Sequence, residues 1–175
     1  MGVGLPTMIY ICSLREMPRH VRSLRPGYLV SLVQPEFQPA TPVGVKSERH
    51  LRVGVDDIFE RVAGAVVPQH EHVQELITFL QSRCRDEPLL MHCYAGVSRS
   101  MAAALIALAL DGEGRAMEAA RVLREAAPHA RPNARIVALA DRLLEREGRL
   151  VAASAAMGPA IPVLEGPLVE LELIP

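Results

Sequence analysis

The sequence predicts an α/β fold in which helices flank a small, mostly parallel sheet. In the first half of the chain, short apolar segments alternate with segments of helical periodicity, and helical segments dominate the second half. One apolar segment, residues 89–92, leads through a tight loop into a run with strong helix formers at residues 101–110. Strands that alternate with helices are typical of parallel sheets whose faces the helices cover.

Each strand is predicted from a short apolar segment. The segment from Tyr28 to Val33 is apolar, so we expect it to be buried on both faces. The residues that follow it, 34–48, contain three prolines and predict an irregular surface loop. The predicted strands are residues 8–12, 28–33, 51–55 and 89–92, and the third of them ends at Asp56 and Asp57.

The helices are predicted from periodicity and from residues typical of helix ends. From Val73 onward, apolar side chains recur at positions i, i+3, i+4, i+7 and i+11, which indicates one buried face. Pro18 suits the first turn of a short helix, Pro128 stops a later one, and Asn133 suits the N-cap of the last, which Gly148 would end. The predicted helices are residues 18–24, 70–84, 101–110, 115–127 and 134–148, with an interruption at residues 111–114.

The length of 175 residues and the hydrophobic content of 50% favour one domain. We expect this domain to occupy residues 1–150, and residues 151–175 to form a C-terminal extension. From Ala156 onward the chain contains four prolines and predicts an extended tail. The sequence leaves open whether this tail packs on the domain or is mobile.

Charge and composition exclude several classes of function. A net charge of −1, a pI of about 6.6 and 3% aromatic residues provide no basic or stacking surface for nucleic acid. The chain has no apolar run of about 18 residues, which a membrane span needs, and it does not begin like a signal peptide. The three cysteines lack metal-ligand spacing. We therefore expect a cytoplasmic protein with reduced cysteines, no metal and no other cofactor.

The tight loop after residue 92 places a cysteine and an arginine with five residues between them. At the start of a helix, the backbone N–H groups of such a loop form a concave anion site, and Arg99 can hold two phosphate oxygens. The same groups favour the thiolate of Cys93. We therefore expect an activated nucleophile beneath a bound phosphate, sulfate or vanadate. The residues that would surround this anion are Tyr94, Ala95, Gly96, Val97, Ser98 and Arg99.

The segment HCYAGVSRS, residues 92–100, resembles the signature H-C-x5-R, followed by Ser or Thr, of the cysteine-dependent protein tyrosine phosphatases. It is similar to the dual-specificity branch in particular. Through HLRVGVDDI and PNARIVALAD, the chain from about residue 9 to residue 150 also resembles small bacterial tyrosine phosphatase-like proteins. The resemblance implies a phosphatase-type fold with this loop between a central strand and a helix. It also implies hydrolysis of phosphomonoesters through a phosphocysteine intermediate.

Hydrolysis of a phosphoester also needs an acid that protonates the leaving oxygen. Asp57 follows a predicted strand and lies 36 residues before the nucleophile. In the resembled family this aspartate adjoins an isoleucine, as Asp57 adjoins Ile58, so the resemblance favours Asp57 over the neighbouring Asp56. Both aspartates could instead simply turn the chain. Asp86 and Glu60 are the next candidates.

The two neighbours of the loop have predicted roles and simpler alternatives. Ser100 is expected to donate a hydrogen bond to the Cys93 sulfur, and it equally suits the N-cap of the next helix. His92 is expected to orient the backbone of Cys93 and to tune its ionisation, or else to be a buried histidine with a satisfied hydrogen bond.

Three further groups of residues suit structural roles better than functional ones. His70 and His72 are expected to be solvated rather than to bind metal, because they do not share a helix face. Cys12 and Cys84 could pair with an oxidised Cys93, but core packing is the better prediction for both. Asn133 has a counterpart in the resembled family, and capping explains it without a catalytic role.

The predicted substrate is phosphotyrosine on a protein, and small phosphoesters are further candidates. The five residues between Cys93 and Arg99 include no lysine or arginine, which makes a phosphoinositide the second choice. Three alternatives stay open at this point: a phosphate-binding module without turnover, a rhodanese-like sulfurtransferase and an inert buried thiol.

Overall fold

A computed structural model describes residues 8–111 and 115–172. It contains the predicted α/β arrangement of strands and helices, together with two short 3₁₀ helices, Pro35–Phe37 and Ser47–Arg49, in the proline-rich loop. The strands are β1 (Met8–Ser13), β2 (Tyr28–Val33), β3 (His50–Gly54), β4 (Leu89–Cys93) and β5 (Val169–Glu172). The helices are α1 (Met17–Leu24), α2 (His70–Ser82), α3 (Arg99–Asp111), α4 (Ala116–Ala126), α5 (Ala134–Leu143) and α6 (Arg149–Ala156).

The sheet has five strands in the order β3-β2-β4-β1-β5, so β4 lies at its centre. The first four strands are parallel, and β5 pairs antiparallel with β1. This confirms the predicted fold class. The register aligns Ser13 of β1 with Cys93, and Ser31 of β2 with His92. Both neighbours of the central strand therefore place a serine beside the start of the loop.

The central helix α3 is buried along almost its whole length. Every residue from Arg99 to Ala109 is at most 3% exposed, because the helix packs between the sheet and helices α2, α4 and α5. It begins two residues before the predicted start, since Arg99 and Ser100 already form its first turn. Within the described ranges, no helix is long and apolar enough to cross a membrane.

The predicted end of the last long helix is wrong. Helix α5 ends at Leu143, and Gly148, with φ of 83°, is the N-cap of a separate helix that the sequence did not reveal. The cause is Asp141, whose carboxylate accepts hydrogen bonds from the backbone of Gly148 (2.7 Å) and Leu150 (2.7 Å). A cap that lies seven to nine residues before the groups it binds has no local sequence signature.

The chain after α6 runs back along the molecule and adds β5 to the edge of the sheet. Val169 and Leu171 are buried, and the alternate residues Glu170 and Glu172 are exposed, as expected for an edge strand with one covered face. The division of the chain at residue 150 stays a prediction. Of the predicted interruption at residues 111–114, the last three lie outside the described residues, as does Pro175 of the tail.

Candidate active site

The loop between β4 and α3 is shaped by backbone contacts around its outside. The carbonyls of Tyr94, Ala95, Val97 and Ser98 accept hydrogen bonds from the backbone N–H of Leu14 (3.1 Å), Gly166 (2.8 Å), Arg131 (2.9 Å) and Asn133 (3.2 Å), respectively. In a trans peptide unit the N–H points opposite to the C=O. Carbonyls held outward therefore turn the N–H groups toward the inside, which suits an anion.

Gly96 is required by the course of this loop. Its φ is +71°, a conformation that side chains disfavour. A Cβ at this position would lie 2.8 Å from the carbonyl carbon of Cys12 and 2.9 Å from its oxygen. The loop thus passes too close to β1 for any other residue.

Cys93 lies at the base of the loop and is 2% exposed. Its Sγ is 3.1 Å from the hydroxyl of Ser100, which is fully buried. Ser100 is the second residue of α3 rather than its N-cap, so its hydroxyl is directed to the sulfur and not to the helix end. A hydroxyl in this position can stabilise a negative charge on the sulfur by hydrogen bonding.

Arg99 is held beneath the loop by the ends of two strands. Its Nη1 donates to the side-chain oxygen of Gln34 (3.0 Å), directly after β2, and to the backbone carbonyl of Val55 (2.8 Å), directly after β3. Its Nε is buried and has no partner among the described residues, which leaves this N–H for an oxygen of a bound phosphate. Nothing in the local sequence marks Gln34 for this role.

Of the two adjacent aspartates, only Asp57 borders the cleft that contains Cys93. Its Oδ1 accepts hydrogen bonds from the Ser98 hydroxyl (2.7 Å) and from Nδ2 of Asn133 (2.8 Å). Asp56 instead closes the loop that follows β3, since its carboxylate accepts from the backbone of Val66 at 2.7 Å. Glu60 and Asp86 do not line the cleft.

Asn133 connects Asp57 to the start of α5. Its Oδ1 accepts from the backbone of Arg135 (3.1 Å) and Ile136 (3.0 Å), which is the predicted N-cap, while its Nδ2 donates to Asp57. Arg135 in turn binds the carbonyls of Pro68 (2.6 Å) and Phe59 (3.2 Å) in the loop that carries Asp57. This second use of Asn133 could not be read from the capping pattern.

A chain of hydrogen bonds leads from His92 across the neighbouring strands β2 and β3. His92 Nε2 is 2.6 Å from the Ser31 hydroxyl, which is 2.8 Å from His50 Nε2, and His50 Nδ1 is 2.9 Å from the hydroxyl of Thr41. Ser31, His50 and Thr41 were not singled out in the sequence. Because each lies on a different segment, no local spacing reveals that they meet.

Both histidines of this chain are neutral near pH 7. Burial lowers the pKa of His92 to about 4, the nearby backbone of Cys93 opposes the shift, and His50 and Arg99 add to it. Nδ1 of His92 is buried and has no hydrogen-bond partner among the described residues. Burial also lowers the pKa of His50 to about 4, with a contribution from Arg52. A neutral imidazole has one donor and one acceptor. With its hydrogen on Nδ1, His92 accepts from Ser31 through Nε2, and the hydrogens of Ser31, His50 and Thr41 then all point toward His92.

The other two cysteines differ in their surroundings. Cys12 is buried beside the loop, and burial raises its pKa to about 12, with smaller contributions from Cys93 and Glu16. Cys84 is exposed, so the expectation that it packs in the core is wrong. The reason is that α2 ends at Ser82, before the position at which the helical face would bury Cys84.

The histidine pair at the start of α2 is divided between two roles. His70 is exposed, whereas Nδ1 of His72 accepts a hydrogen bond from the backbone of Gln69 (3.1 Å) and completes a capping box. Among the residues that the structure describes, no group of three or more His, Cys, Asp or Glu side chains is arranged to hold a metal ion.

The loop opens into a cleft of about 680 Å³. Two aromatic residues, Tyr94 (55% exposed) and Phe59 (57% exposed), line it, and the Phe37 ring lies 5.6 Å from the Tyr94 ring. Three of the six aromatic residues in the chain are therefore at or beside this opening. Val163 and Leu164, near the C-terminus, line the same cleft.

The chain is similar in structure to several phosphatases. Human DUSP28 matches with a TM-score of 0.59 and 21% identity, over 83% of this chain and 97% of its own. A mouse putative dual specificity phosphatase complexed with zinc tungstate matches with a TM-score of 0.57 and 22% identity, over 87% and 95% of the two chains. PTPMT1 in complex with PI(5)P matches with a TM-score of 0.57 and 14% identity, over 86% and 94%.

No protein-family model matches the chain, and no curated protein matches it in sequence. Each of these structural matches covers most of both chains. The chain therefore has the fold of the dual-specificity and protein tyrosine phosphatases.

Proposed function

We propose that the protein belongs to the cysteine-dependent phosphatases and hydrolyses phosphomonoesters through a phosphocysteine intermediate. The observation that carries this proposal is the meeting of Cys93, Arg99 and Asp57 at one cleft, although Asp57 is distant in sequence from the loop that carries the other two. A nucleophile, a bidentate cation and an acid are the groups that phosphoryl transfer requires. Phosphate binding alone would not need a buried thiol paired with a hydroxyl.

In the first step, the Cys93 thiolate attacks phosphorus while the bond to the leaving oxygen breaks. Asp57 gives its proton to that oxygen, and Arg99 with the loop N–H groups neutralises the equatorial oxygens. In the second step, Asp57 accepts a proton from water as the water oxygen attacks phosphorus. The S–P bond then breaks, and the Ser100 hydroxyl stabilises the departing thiolate. His92 holds the backbone of Cys93 throughout.

We infer that the substrate is phosphotyrosine on a protein. The aromatic side chains of Tyr94 and Phe59 at the opening favour an aryl group, which can stack on them. The loop itself adds no lysine or arginine for a polyanionic headgroup. Arg131 also lines the cleft, and PTPMT1 was crystallised with PI(5)P, so a phosphoinositide is the second candidate. Since the three cysteines are free, we place the protein in the cytoplasm.

Turnover of an aryl phosphate without added metal tests the proposal. We expect hydrolysis of p-nitrophenyl phosphate that survives a chelator and is blocked by vanadate, because amides and a guanidinium take the place of a metal. Loss of activity in chelator, restored by a divalent cation, would contradict this mechanism. Comparing phosphotyrosine and phosphoserine peptides with a short-chain phosphoinositide then ranks the substrate classes.

Two variants test the groups that bind the phosphate and attack its phosphorus. Cys93→Ser is expected to abolish turnover and to retain phosphate binding, because the loop cannot ionise a hydroxyl. Arg99→Lys is expected to lose most of the activity, since an ammonium cannot reproduce the contacts to Gln34 and Val55 together with a bidentate phosphate contact. Near-normal rates in either variant would remove that residue from its proposed role.

A further inference from the structure

The residues between α6 and β5 run along the edge of the catalytic cleft. We call residues 157–166 the C-terminal segment. Arg124 holds its beginning by donating to the carbonyls of Met157 (3.1 Å) and Gly158 (3.3 Å). The backbone N–H of Ile161 binds the carbonyl of Pro128 at 3.0 Å, and that of Gly166 binds Ala95 in the catalytic loop at 2.8 Å. The segment is thus fixed at its start, middle and end.

The last part of the segment is joined to the loop and to β1. The Ser13 hydroxyl donates to Glu165 at 2.5 Å, and Arg15 forms an ion pair with the same carboxylate at 3.3 Å. Gly166 is packed so closely that a Cβ would lie 2.7 Å from Nε2 of His129 and 2.8 Å from the carbonyl oxygen of Gly96. The segment is therefore a fixed wall of the cleft.

This wall presents two apolar side chains to the solvent. Leu164 is 100% exposed and Val163 is 38% exposed, although both line the cleft that begins at Cys93. Pro159 and Pro162 restrict the backbone that carries them. An apolar side chain held on a stiff backbone loses little conformational entropy when a ligand covers it, so it is well suited to binding.

The cleft is larger than a phosphate needs. Its volume of about 680 Å³ is typical of sites for much bigger ligands, and its lining continues from the loop to the C-terminal segment without a break. A substrate whose phosphate reaches Cys93 can therefore extend along the cleft to Val163 and Leu164. The net charge of −1 provides no attraction to an anionic membrane surface, which favours a protein substrate over a lipid.

We propose that Val163 and Leu164 determine specificity by contacting an apolar side chain next to the phosphotyrosine of a protein substrate. This inference rests on the proposed function and adds to that function a preference for certain residues beside the phosphotyrosine. The preference arises from apolar area that is covered only when the neighbour of the phosphotyrosine is itself apolar. With a polar neighbour, Leu164 stays exposed to water and burial of apolar surface adds nothing to the binding free energy.

The proposal can be tested with two phosphotyrosine peptides. They differ only in the residues that flank the phosphotyrosine, which are leucine in one peptide and serine in the other. For the unaltered protein we expect kcat/KM to be about three- to tenfold higher with leucine, as for partial burial of one aliphatic side chain. Leu164→Ser should bring this ratio close to one. Ile161→Ser is the matched control, because Ile161 lies in the same segment and is 61% exposed but does not line the cleft. It should retain the preference.

The outcomes separate this inference from the function on which it rests. If the protein hydrolyses phenyl phosphate but has equal kcat/KM for the two peptides, the inference fails and the phosphatase assignment stands. An equal loss of preference in Leu164→Ser and Ile161→Ser overturns it too, because the effect would then belong to the whole segment. If neither phenyl phosphate nor a peptide is hydrolysed, the proposed function itself is contradicted, and this inference falls with it. Dependence on Leu164 for a short-chain phosphoinositide, with none for the peptides, would overturn the choice of a protein substrate.

Discussion

At the scale of single residues, the site depends on side chains that hold the reacting groups as much as on those groups themselves. Gln34 fixes Arg99, Asn133 fixes Asp57, and Ser31 fixes His92. Such supporting contacts keep reacting groups within the narrow geometry that catalysis requires. Each of them can be removed without touching the atoms that react.

Replacing Asp57 by asparagine tests the proposed acid. We expect kcat to fall by about 10²–10⁴-fold for phenyl phosphate, the usual range for general acid catalysis. The loss should shrink as the leaving group becomes more acidic, because a good leaving group needs no proton, and the basic limb of the pH–rate profile should flatten. A series of substituted phenyl phosphates measures this dependence.

Asp56→Asn is the control for that series. Its side-chain oxygen can still accept the hydrogen bond from the backbone of Val66, so we expect a nearly unchanged rate with every leaving group. If Asp56→Asn shows the leaving-group dependence and Asp57→Asn does not, the two roles are exchanged. If neither variant shows it, Asp86 and Glu60 are the next to replace.

Ser31→Ala tests whether the buried hydrogen-bond chain acts on the nucleophile. Without the hydroxyl, the ring nitrogens of His92 and His50 lose their shared partner, and the orientation of the His92 hydrogens is no longer imposed. We expect slower alkylation of Cys93 by iodoacetamide at pH 6, because the thiolate is less well supported. Thr41→Val breaks only the far end of the chain and should have a smaller effect. An unchanged alkylation rate in Ser31→Ala would limit the chain to a structural role.

The difference between local and distant contacts explains which of these residues the sequence could predict. Cys93, Arg99 and Ser100 belong to one loop and its helix, so their spacing shows them directly. The preference for Asp57 over Asp56 came from resemblance alone. The structure brings Asp57 into contact with Ser98 and Asn133, and its role as the acid stays a prediction. Ser31, Gln34 and His50 act across strands, and only the sheet register brings them to the loop.

At the scale of secondary structure, the strand boundaries were predicted to within about one residue, because each strand is a compact apolar run. Helix ends were predicted less well, since their signals can be distant. Gly148 is an example: it looked like the end of α5, but Asp141 makes it the start of α6. Strand β5 was missed because two of its four residues are glutamates, and an edge strand needs only one apolar face.

Gly166→Ala tests the contact between the C-terminal segment and the catalytic loop. The added methyl group would meet His129 and the carbonyl oxygen of Gly96 at less than 3 Å, so the segment or the loop must move. We expect a loss of about 1–3 kcal/mol in the free energy of unfolding, the usual range for overpacking. We also expect weaker vanadate inhibition, because the loop N–H groups are displaced. Gly54→Ala, where the new methyl group would make an ordinary contact of 3.4 Å with Pro35 and φ is not positive, shows how much of the effect comes from a glycine replacement in general. If vanadate inhibits the unaltered protein and Gly166→Ala equally, the C-terminal segment does not hold the catalytic loop.

At the scale of the whole molecule, the buried histidines make stability depend on pH. The unfolded state binds protons near pH 6.5, whereas His50 and His92 in the folded state bind them only near pH 4. The unfolded state therefore holds more protons between these values, and stability is lost as the pH falls through this window. We expect a decrease on the order of 1 kcal/mol or more per histidine between pH 7 and pH 5, measured as the free energy of unfolding in urea.

The variant His50→Gln distinguishes the loss of stability caused by the buried histidines from losses that have other causes at low pH. Glutamine keeps a polar side chain near Ser31 but cannot take up a proton, so the variant should be less stable at pH 7 and should lose less stability between pH 7 and pH 5. An equal loss in both proteins would show that the histidine pair is not the cause.

The pairing of β5 with β1 also has a consequence for the order in which the protein becomes active during synthesis. A chain that has emerged as far as residue 156 already contains Cys93, Arg99 and Asp57. It still lacks the N–H of Gly166 that holds Ala95, the carboxylate of Glu165 that binds Ser13, and the strand that covers the edge of β1. Contacts between such distant parts of a chain form late, because a long loop must close first. Cys93 is thus made well before the structure that holds its loop, and if the proposed function holds we expect a nascent chain to acquire phosphatase activity only after residues 157–172 have emerged.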